Sequence, residues 1–286
     1  MSDYLTPEAI DQFIDLALNE DIGPGDYTSL ASVPSDAQSK AILLIKDNGV
    51  LAGVQVAKRI FEKVDAELSL QLHMNDGDRI VPGDIAMTVQ GKAQSILSAE
   101  RLVLNCMQRM SGIATHTDKL NQLIKPYKAK LLDTRKTTPN FRIMEKWAVR
   151  IGGGTNHRFA LYDMIMIKDN HIDYAGGITP AIVSTKQYLK DNDLNLDIEV
   201  ETRNIEEVKE VLSHDGISRI MLDNFELNAL AEAVDLIGDQ CITEASGGIT
   251  LSSIEEVAAS GVDYISVGAL THSTISLDMS LKASKD

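Results

Sequence analysis

Two cysteines, Cys106 and Cys241, are all that the chain contains. That is too few for a disulfide framework, and both sit in apolar stretches where a buried free thiol is the expected state. Aromatic residues make up 5% of the 286, with one tryptophan, so stacking platforms for nucleic acid are not expected. No apolar run approaches the roughly 20 residues needed to span a bilayer. Positive charge is also short: 27 Lys and Arg stand against 42 Asp and Glu, a net charge of −15. An acidic protein repels nucleic acid and anionic membrane surfaces. The start, MSDYLTPEAIDQ, lacks the charged-then-apolar pattern of a secretory leader. A cytoplasmic protein with neither nucleic acid nor membrane as partner is the expectation.

One window departs from this background. Between Asp133 and His171 seven cations (Arg135, Lys136, Arg142, Lys146, Arg150, Arg158, Lys168) face four acids (Asp133, Glu145, Asp163, Asp169). A basic island on an acidic protein concentrates a small anion. The window also holds Gly152-Gly153-Gly154, where bare backbone N–H groups can approach a ligand. The expected ligand is small, multiply anionic and rich in oxygen.

The chain changes rhythm partway along. Thr6-Pro7-Glu8 opens a helix with an N-cap, a first-turn proline and an acid at the positive end. From about 38 to 92 come short strand-like runs: AILLIK, GVLAGV, LSLQLHM and IAMTVQG. A helix is expected over Gln55–Val64, and a long one over 95–125 with Ser98 as a candidate cap. A domain boundary is placed near 112, giving domains 1–112 and 113–286. Beyond it, six apolar runs end in polar or glycine residues: KAKLLDTRK, MIMIKDN, LDIEVE, RIMLDN, CITEASGG and YISVGA. Markers at the last five ends, Lys168, Glu201, Asp223, Ser246 and Gly268, are 33, 22, 23 and 22 residues apart. Helical segments separate the last four, the third opening on a capping box (Ser252/Glu255 or Ser253/Glu256). Strand, loop and helix in about 22 residues is a βα unit, and repeated units give a parallel sheet or barrel. Six strands are clear, with a seventh sought near Ala114 or Ile178.

In such folds ligands bind at the C-terminal strand ends. That geometry gathers Arg135, Lys136, Lys168, Glu201, Asp223, Ser246 and Gly268 on one rim. Ser246-Gly247-Gly248 and Val267-Gly268-Ala269 end successive strands and suit a phosphate. Arg135 and Arg158 suit bidentate contact with carboxylate or phosphate, where a lone arginine would more plainly be a surface charge. Lys168 could instead be a Schiff-base nucleophile, as in aldolase barrels. Glu201 and Asp223 suit Mg²⁺ or sugar hydroxyls, although Asp223 could equally cap a helix. His157 and His171 lack a zinc-binding spacing.

DTRKTTP, EKWAVRIGGG, NHR and IKDNH, followed in order by EVE, MLDN, EASGGI and SVGALTHS, resemble the quinolinate phosphoribosyltransferase family. EDIGPGDYTS and QRMSGIAT upstream are similar to it as well. The resemblance covers about residues 20 to 282. It implies a smaller N-terminal α/β sandwich and a C-terminal incomplete α/β barrel of about seven strands. It implies a homodimer with shared sites, in which Arg101 reaches in from the partner. Arg135, His157, Arg158 and Lys168 would line a quinolinate pocket, with Lys136 nearby. Glu201 and Asp223 would serve the ribose and the Mg²⁺-pyrophosphate region. Ser246, Gly247, Gly248, Val267, Gly268, Ala269 and His272 would hold the 5′-phosphate. The implied reaction joins quinolinate to 5-phosphoribosyl pyrophosphate and releases pyrophosphate and CO₂. Alternatives are a related transferase for another aromatic acid, an aldolase-like barrel using Lys168, and a non-catalytic phosphometabolite sensor. Asn140, Thr155 and Ala160 depart from the family pattern; asparagine tolerates the left-handed backbone, so its turn is expected to survive.

Overall fold

The computed structural model describes residues 4–284. Residues 1–3 and 285–286, the outer ends of the two expected domains, lie outside the described residues. The chain divides into two units. One comprises 4–118, 136–153 and 269–284; the other comprises 119–135 and 154–268.

The first unit begins with α1 (Pro7–Asp21), where the Thr6 hydroxyl accepts the Ala9 N–H at 3.2 Å as its sequence predicts. Asp26 caps α2 (Tyr27–Ser32) by accepting the Ser29 N–H at 3.1 Å. In β1 (Gln38–Ile45) alternation buries Ala41, Leu43 and Ile45. Only the first two residues of GVLAGV form a strand, β2 (Gly49–Val50). The run cannot continue as a strand because Gly53 turns the backbone to φ +96° and a helix opens at Val54. On its other side the Val50 N–H donates to Thr115 Oγ1 at 2.8 Å and the Ala52 N–H to Ser111 Oγ at 2.9 Å, so side chains satisfy these donors. Next, α3 (Val54–Val64) buries Val56, Ala57, Ile60 and Phe61 on one face. Truncating Phe61 to alanine would cost about 3–5 kcal/mol. Then follow β3 (Ser69–Leu72), β4 (Arg79–Ile80), β5 (Ile85–Lys92) and the long α4 (Ala93–Ile124). Ser98 is not a cap: α4 runs on directly from β5, and the Ser98 hydroxyl donates to Asp26 Oδ2 at 3.3 Å.

The second unit opens with β6 (Lys130–Leu132), after which α5 (Arg142–Ile151) belongs to the first unit again. There follow β7 (Ile165–Ile167), α6 (Asp169–Ala175), α7 (Ile178–Asp191), β8 (Ile198–Thr202), α8 (Ile205–Leu212) and β9 (Arg219–Asp223). The series closes with α9 (Leu227–Ile237), β10 (Ile242–Ser246), α10 (Ile254–Ala259) and β11 (Tyr264–Ser266). All six predicted runs are strands of one parallel sheet, in the order β6-β11-β10-β9-β8-β7. A seventh strand does not form at Ala114 or Ile178, which lie in α4 and α7. Instead Thr155 bridges to Leu132 on the free side of β6, its N–H donating to Leu131 O at 2.8 Å. The expected capping box of α10 is absent as well. The Ser253 hydroxyl accepts from the Thr250 N–H at 3.0 Å and leaves the helix donors alone.

The chain then re-enters the first unit through α11 (Ala269–His272) and β12 (Met279–Ala283). β12 completes an antiparallel sheet in the order β12-β1-β5-β3, with Leu43 opposite both Leu281 and Met87. Thus the last strand of the chain stabilises the first sheet.

Candidate active site

In the parallel unit the sequence markers lie at strand ends. Lys168 follows β7 directly, and its Nζ donates to Glu201 Oε2 at 2.7 Å. Glu201 stands on β8 and is buried, while Lys168 remains partly open to solvent. Asp223 closes β9, the strand next to β8. Burial and then the neighbouring Glu201 charge push its carboxyl above the usual range, while Asn224 Nδ2, donating at 2.6 Å, works the other way. An acid disfavoured in this way beside a second carboxylate suits a cation or a hydroxyl donor next to it. Ser246 is paired in register with Asp223. The next residue, Gly247, has φ +94°, and a side chain there would run into the Asn224 carboxamide. Only glycine permits this approach of the β9 and β10 ends. Gly248 also has positive φ and is exposed. Val267 is buried, its N–H donating to Leu132 O at 3.0 Å, with Gly268 next.

The Asn156-His157-Arg158 segment is pinned from below. Asp133, fully buried, accepts the His157 N–H at 2.9 Å and Asn156 Nδ2 at 2.6 Å. Arg158 is buried, and its Nη1 donates to Met164 O at 3.1 Å, just before β7. Burial first, and the nearby Arg135 cation second, disfavour its charge. An anion bound beside Arg158 would favour its charged form. Arg158 also lines a cleft of about 450 Å³ with Tyr162, Asp163, Met164 and Asp197. Those residues lead into β7 and β8, so the cleft opens at the opposite ends of these strands from Lys168 and Glu201.

Below the rim lies a charged layer that sequence reasoning missed. His157 Nε2 donates to Glu199 Oε2 at 2.9 Å and lies 3.4 Å from Glu244 Oε2. Arg219 Nη1 donates to Glu244 Oε2 at 2.7 Å, and its guanidinium stacks over Tyr264 with Cζ 4.8 Å from the ring centre. All four charged groups are buried. Burial lowers the His157 pKa, but hydrogen bonds to Glu199 and then Glu244 outweigh it and push it up to about 9. The Arg158 N–H sits 2.6 Å from Nδ1, a contact that a doubly protonated ring gives up. Two carboxylates outweigh one amide. Glu199 is raised by burial and by Glu244; Glu244 is held down against burial by His157 and Arg219. His157, Glu199 and Glu244 are close enough to ligate a metal, but Arg219 already supplies the compensating cation. A period-two signal could have found this layer. Glu199 and Glu201, Arg219 and Asp223, and Glu244 and Ser246 share a face on strands whose other residues are apolar or threonine.

Four candidate residues belong to the first unit. Lys136 is exposed, and its carbonyl accepts the Thr271 hydroxyl at 2.8 Å. Ala269 and His272 bound α11; His272 is exposed, with Nδ1 2.6 Å from Ser273 Oγ. Arg101 is exposed on α4. Asn140 takes φ +61°, so the turn keeps the left-handed conformation that asparagine tolerates. Ala160 is accommodated in a turn closed by Asp163, which accepts the Phe159 and Ala160 N–H groups at 2.7 and 2.8 Å.

A parallel α/β sheet with cationic and glycine-rich strand ends defines a class of proteins that bind small anions at those ends. Comparison with known proteins narrows it. Residues 26–111 match the N-terminal domain and residues 113–282 the C-terminal domain of quinolinate phosphoribosyl transferase. Quinolinate phosphoribosyltransferase [decarboxylating] 1b of Nicotiana tabacum is 50% identical over 284 residues, covering 94% of this chain and 81% of that protein. Probable nicotinate-nucleotide pyrophosphorylase [carboxylating] of Bacillus subtilis is 43% identical, covering 92% and 89%. The crystal structure of NadC from Streptococcus pyogenes superposes with a TM-score of 0.91 at 40% identity, covering 98% and 99%. The chain belongs to the quinolinate phosphoribosyl transferase family, with a barrel-like α/β domain and an antiparallel N-terminal sheet.

Proposed function

We propose that the protein transfers phosphoribosyl from 5-phosphoribosyl pyrophosphate to quinolinate with loss of CO₂, giving nicotinate mononucleotide and pyrophosphate for NAD biosynthesis. The observation that carries this reading within the family is the buried Arg158, whose charge is disfavoured by burial and then by the Arg135 cation. That pair suits an acid with two adjacent carboxylates, held bidentately. His157 acts from beneath, as one member of the charged layer.

Departure of pyrophosphate from ribose C1 leaves oxocarbenium-like charge, and the pyridine nitrogen attacks that carbon. The nitrogen becomes cationic, so the ring accepts the electron pair released as the adjacent carboxylate leaves as CO₂; a proton then replaces it. Lys136 and Lys168 stabilise the departing anion, and Ser246, Gly247, Gly248, Val267, Gly268, Ala269 and His272 receive the 5′-phosphate. Glu201 and Asp223 fit Mg²⁺, directly or through the ribose hydroxyls, because their mutual repulsion is relieved by a cation. Bound Mg²⁺ would supply charge neutralisation to the pyrophosphate. The residues contribute position more than acid–base chemistry.

The active form is proposed to be a homodimer with Arg101 contributed across the interface. No helix among the described residues is long and apolar enough to cross a membrane, and the low cysteine content supports a reducing, cytoplasmic setting. The pairing of Lys168 with Glu201 argues against an aldolase-like nucleophile. The deciding assay supplies Mg²⁺, the phosphoribosyl donor and either quinolinate or nicotinate, and measures mononucleotide and CO₂. Turnover with CO₂ from quinolinate alone is expected; equal turnover of nicotinate would overturn the assignment.

A further inference from the structure

A closed ring of hydrogen bonds links the loop carrying Lys136 to the turn carrying His272, and it lies wholly within the first unit. Glu145 on α5 is fully buried. Its Oε1 accepts Arg109 Nη2 at 2.9 Å, Arg109 Nε at 3.1 Å and the Thr138 hydroxyl at 3.0 Å. Its Oε2 accepts the Thr138 N–H at 3.0 Å. Arg109 on α4 also donates to Thr274 O at 2.7 Å and, through Nη2, to Thr271 O. The Thr271 hydroxyl donates in turn to Lys136 O at 2.8 Å. The ring therefore runs from Lys136 through Thr271, Arg109 and Glu145 to Thr138, two residues from where it began.

Two neighbouring features stiffen it. Gly112, one turn along α4, lies so close to Ile275 that a side chain would collide with the Ile275 carbonyl. The Leu277 N–H donates to Gln108 O at 3.1 Å. The α4 face from Gln108 to Gly112 is thus shaped to hold the 271–277 segment. None of Arg109, Glu145, Thr138 and Thr271 belongs to the proposed ligand set.

We infer that Arg109 and Glu145 are positioning residues that fix the spacing between Lys136 and the Ala269–His272 turn, and thereby the fit of the phosphoribosyl donor. This rests on the proposed reaction. The donor carries pyrophosphate at one end and 5′-phosphate at the other, with the ribose setting the distance between them. Ligands for the two ends must keep a matching distance. Quinolinate places no such demand on this ring, so its binding is expected to be less sensitive.

The test uses the full chain and measures KM for each substrate with the other saturating, together with kcat and thermal midpoint. Glu145→Gln removes the charge from the ring's centre, and Arg109→Lys removes the fork. Thr271→Val is the gentler cut, deleting one hydroxyl while nearly conserving shape. For Thr271→Val the donor KM is expected to rise about three- to tenfold, the effect of one hydrogen bond, with quinolinate KM less than doubled. Thr271→Ser restores the hydroxyl and should restore the donor KM. Glu145→Gln and Arg109→Lys, where folded, should shift the same constant further. An active wild type whose folded Thr271→Val variant changes neither KM, or changes both equally, overturns the positioning role. A wild type inactive with both substrates overturns the reaction itself and the donor-directed role with it.

Discussion

The Nζ of Lys168 lies 2.7 Å from Oε2 of Glu201, joining the end of β7 to a buried carboxylate on the adjacent strand β8. The contact sets the direction of a cation that the proposed reaction needs at its leaving group. Lys168→Met is expected to lower kcat/KM by at least about 100-fold, since it removes the charge from the site and leaves Glu201 without its principal donor. The thermal midpoint should fall as well, because buried Glu201 loses its cation, so activity is compared on folded protein. Borohydride with a carbonyl substrate should leave wild-type Lys168 unlabelled; a stable adduct in the mass spectrum would favour nucleophilic chemistry.

Arg135 and Arg158 should resist conservative replacement. Each of Arg135→Lys and Arg158→Lys keeps the charge but loses the planar fork. Loss of a bidentate, desolvated contact is worth about 2–5 kcal/mol, or roughly 30-fold and upward in kcat/KM for quinolinate. Phthalate keeps both carboxylates and lacks the ring nitrogen, so it should compete with quinolinate without being turned over. Losses under about threefold in both folded variants, with no inhibition by phthalate, would remove the clamp.

The parallel sheet was legible because each βα unit repeats one pattern, an apolar run ending in a polar or glycine residue about every 22 residues. Lys168, Glu201, Asp223 and Ser246 were found by position in that repeat, and the structure puts all four at strand ends. Glu199, Arg219 and Glu244 were missed because they sit inside strands, where an apolar run is read as uniform core. Ser98 and Ser253 misled because a serine before a helical pattern signals a cap only if its hydroxyl reaches the helix donors. Here those hydroxyls bond to Asp26 and Thr250. The Arg109–Glu145 ring was invisible for a different reason: its members come from three segments, and only the fold brings them together.

The buried layer carries a pH signature. His157 is raised to about 9, above the 6.5 of a free imidazole, because its hydrogen bonds to Glu199 and Glu244 outweigh the opposing effect of burial. A raised pKa in the folded state contributes stability that is fully present below pH 6.5 and lost as pH rises through about 9. The urea midpoint of wild type should therefore decline between pH 6.5 and 9.5. His157→Phe should be less stable overall, with most of that decline removed. A wild-type profile as flat as the variant's would show that the imidazole enters the folded state uncharged.

Arg101 is exposed on α4, which for a monomer would make it an ordinary solvated charge. In the proposed dimer it completes the partner's site, and subunit mixing separates these cases. Arg101→Ala and Lys136→Ala should each be nearly inactive alone. In a heterodimer of the two, one site receives both defects and the other receives neither, if Arg101 crosses the interface. Random exchange at equal concentrations makes half the dimers mixed, so about a quarter of all sites should be intact in a two-fold assembly. Activity should rise to about that fraction of wild type on mixing, with a time course set by subunit exchange. If Arg101 served its own subunit, every site in the mixture would carry one defect and no activity would return. Exchange demonstrated by mass spectrometry, with activity still at the level of the separate variants, would therefore place Arg101 in its own subunit or outside the site.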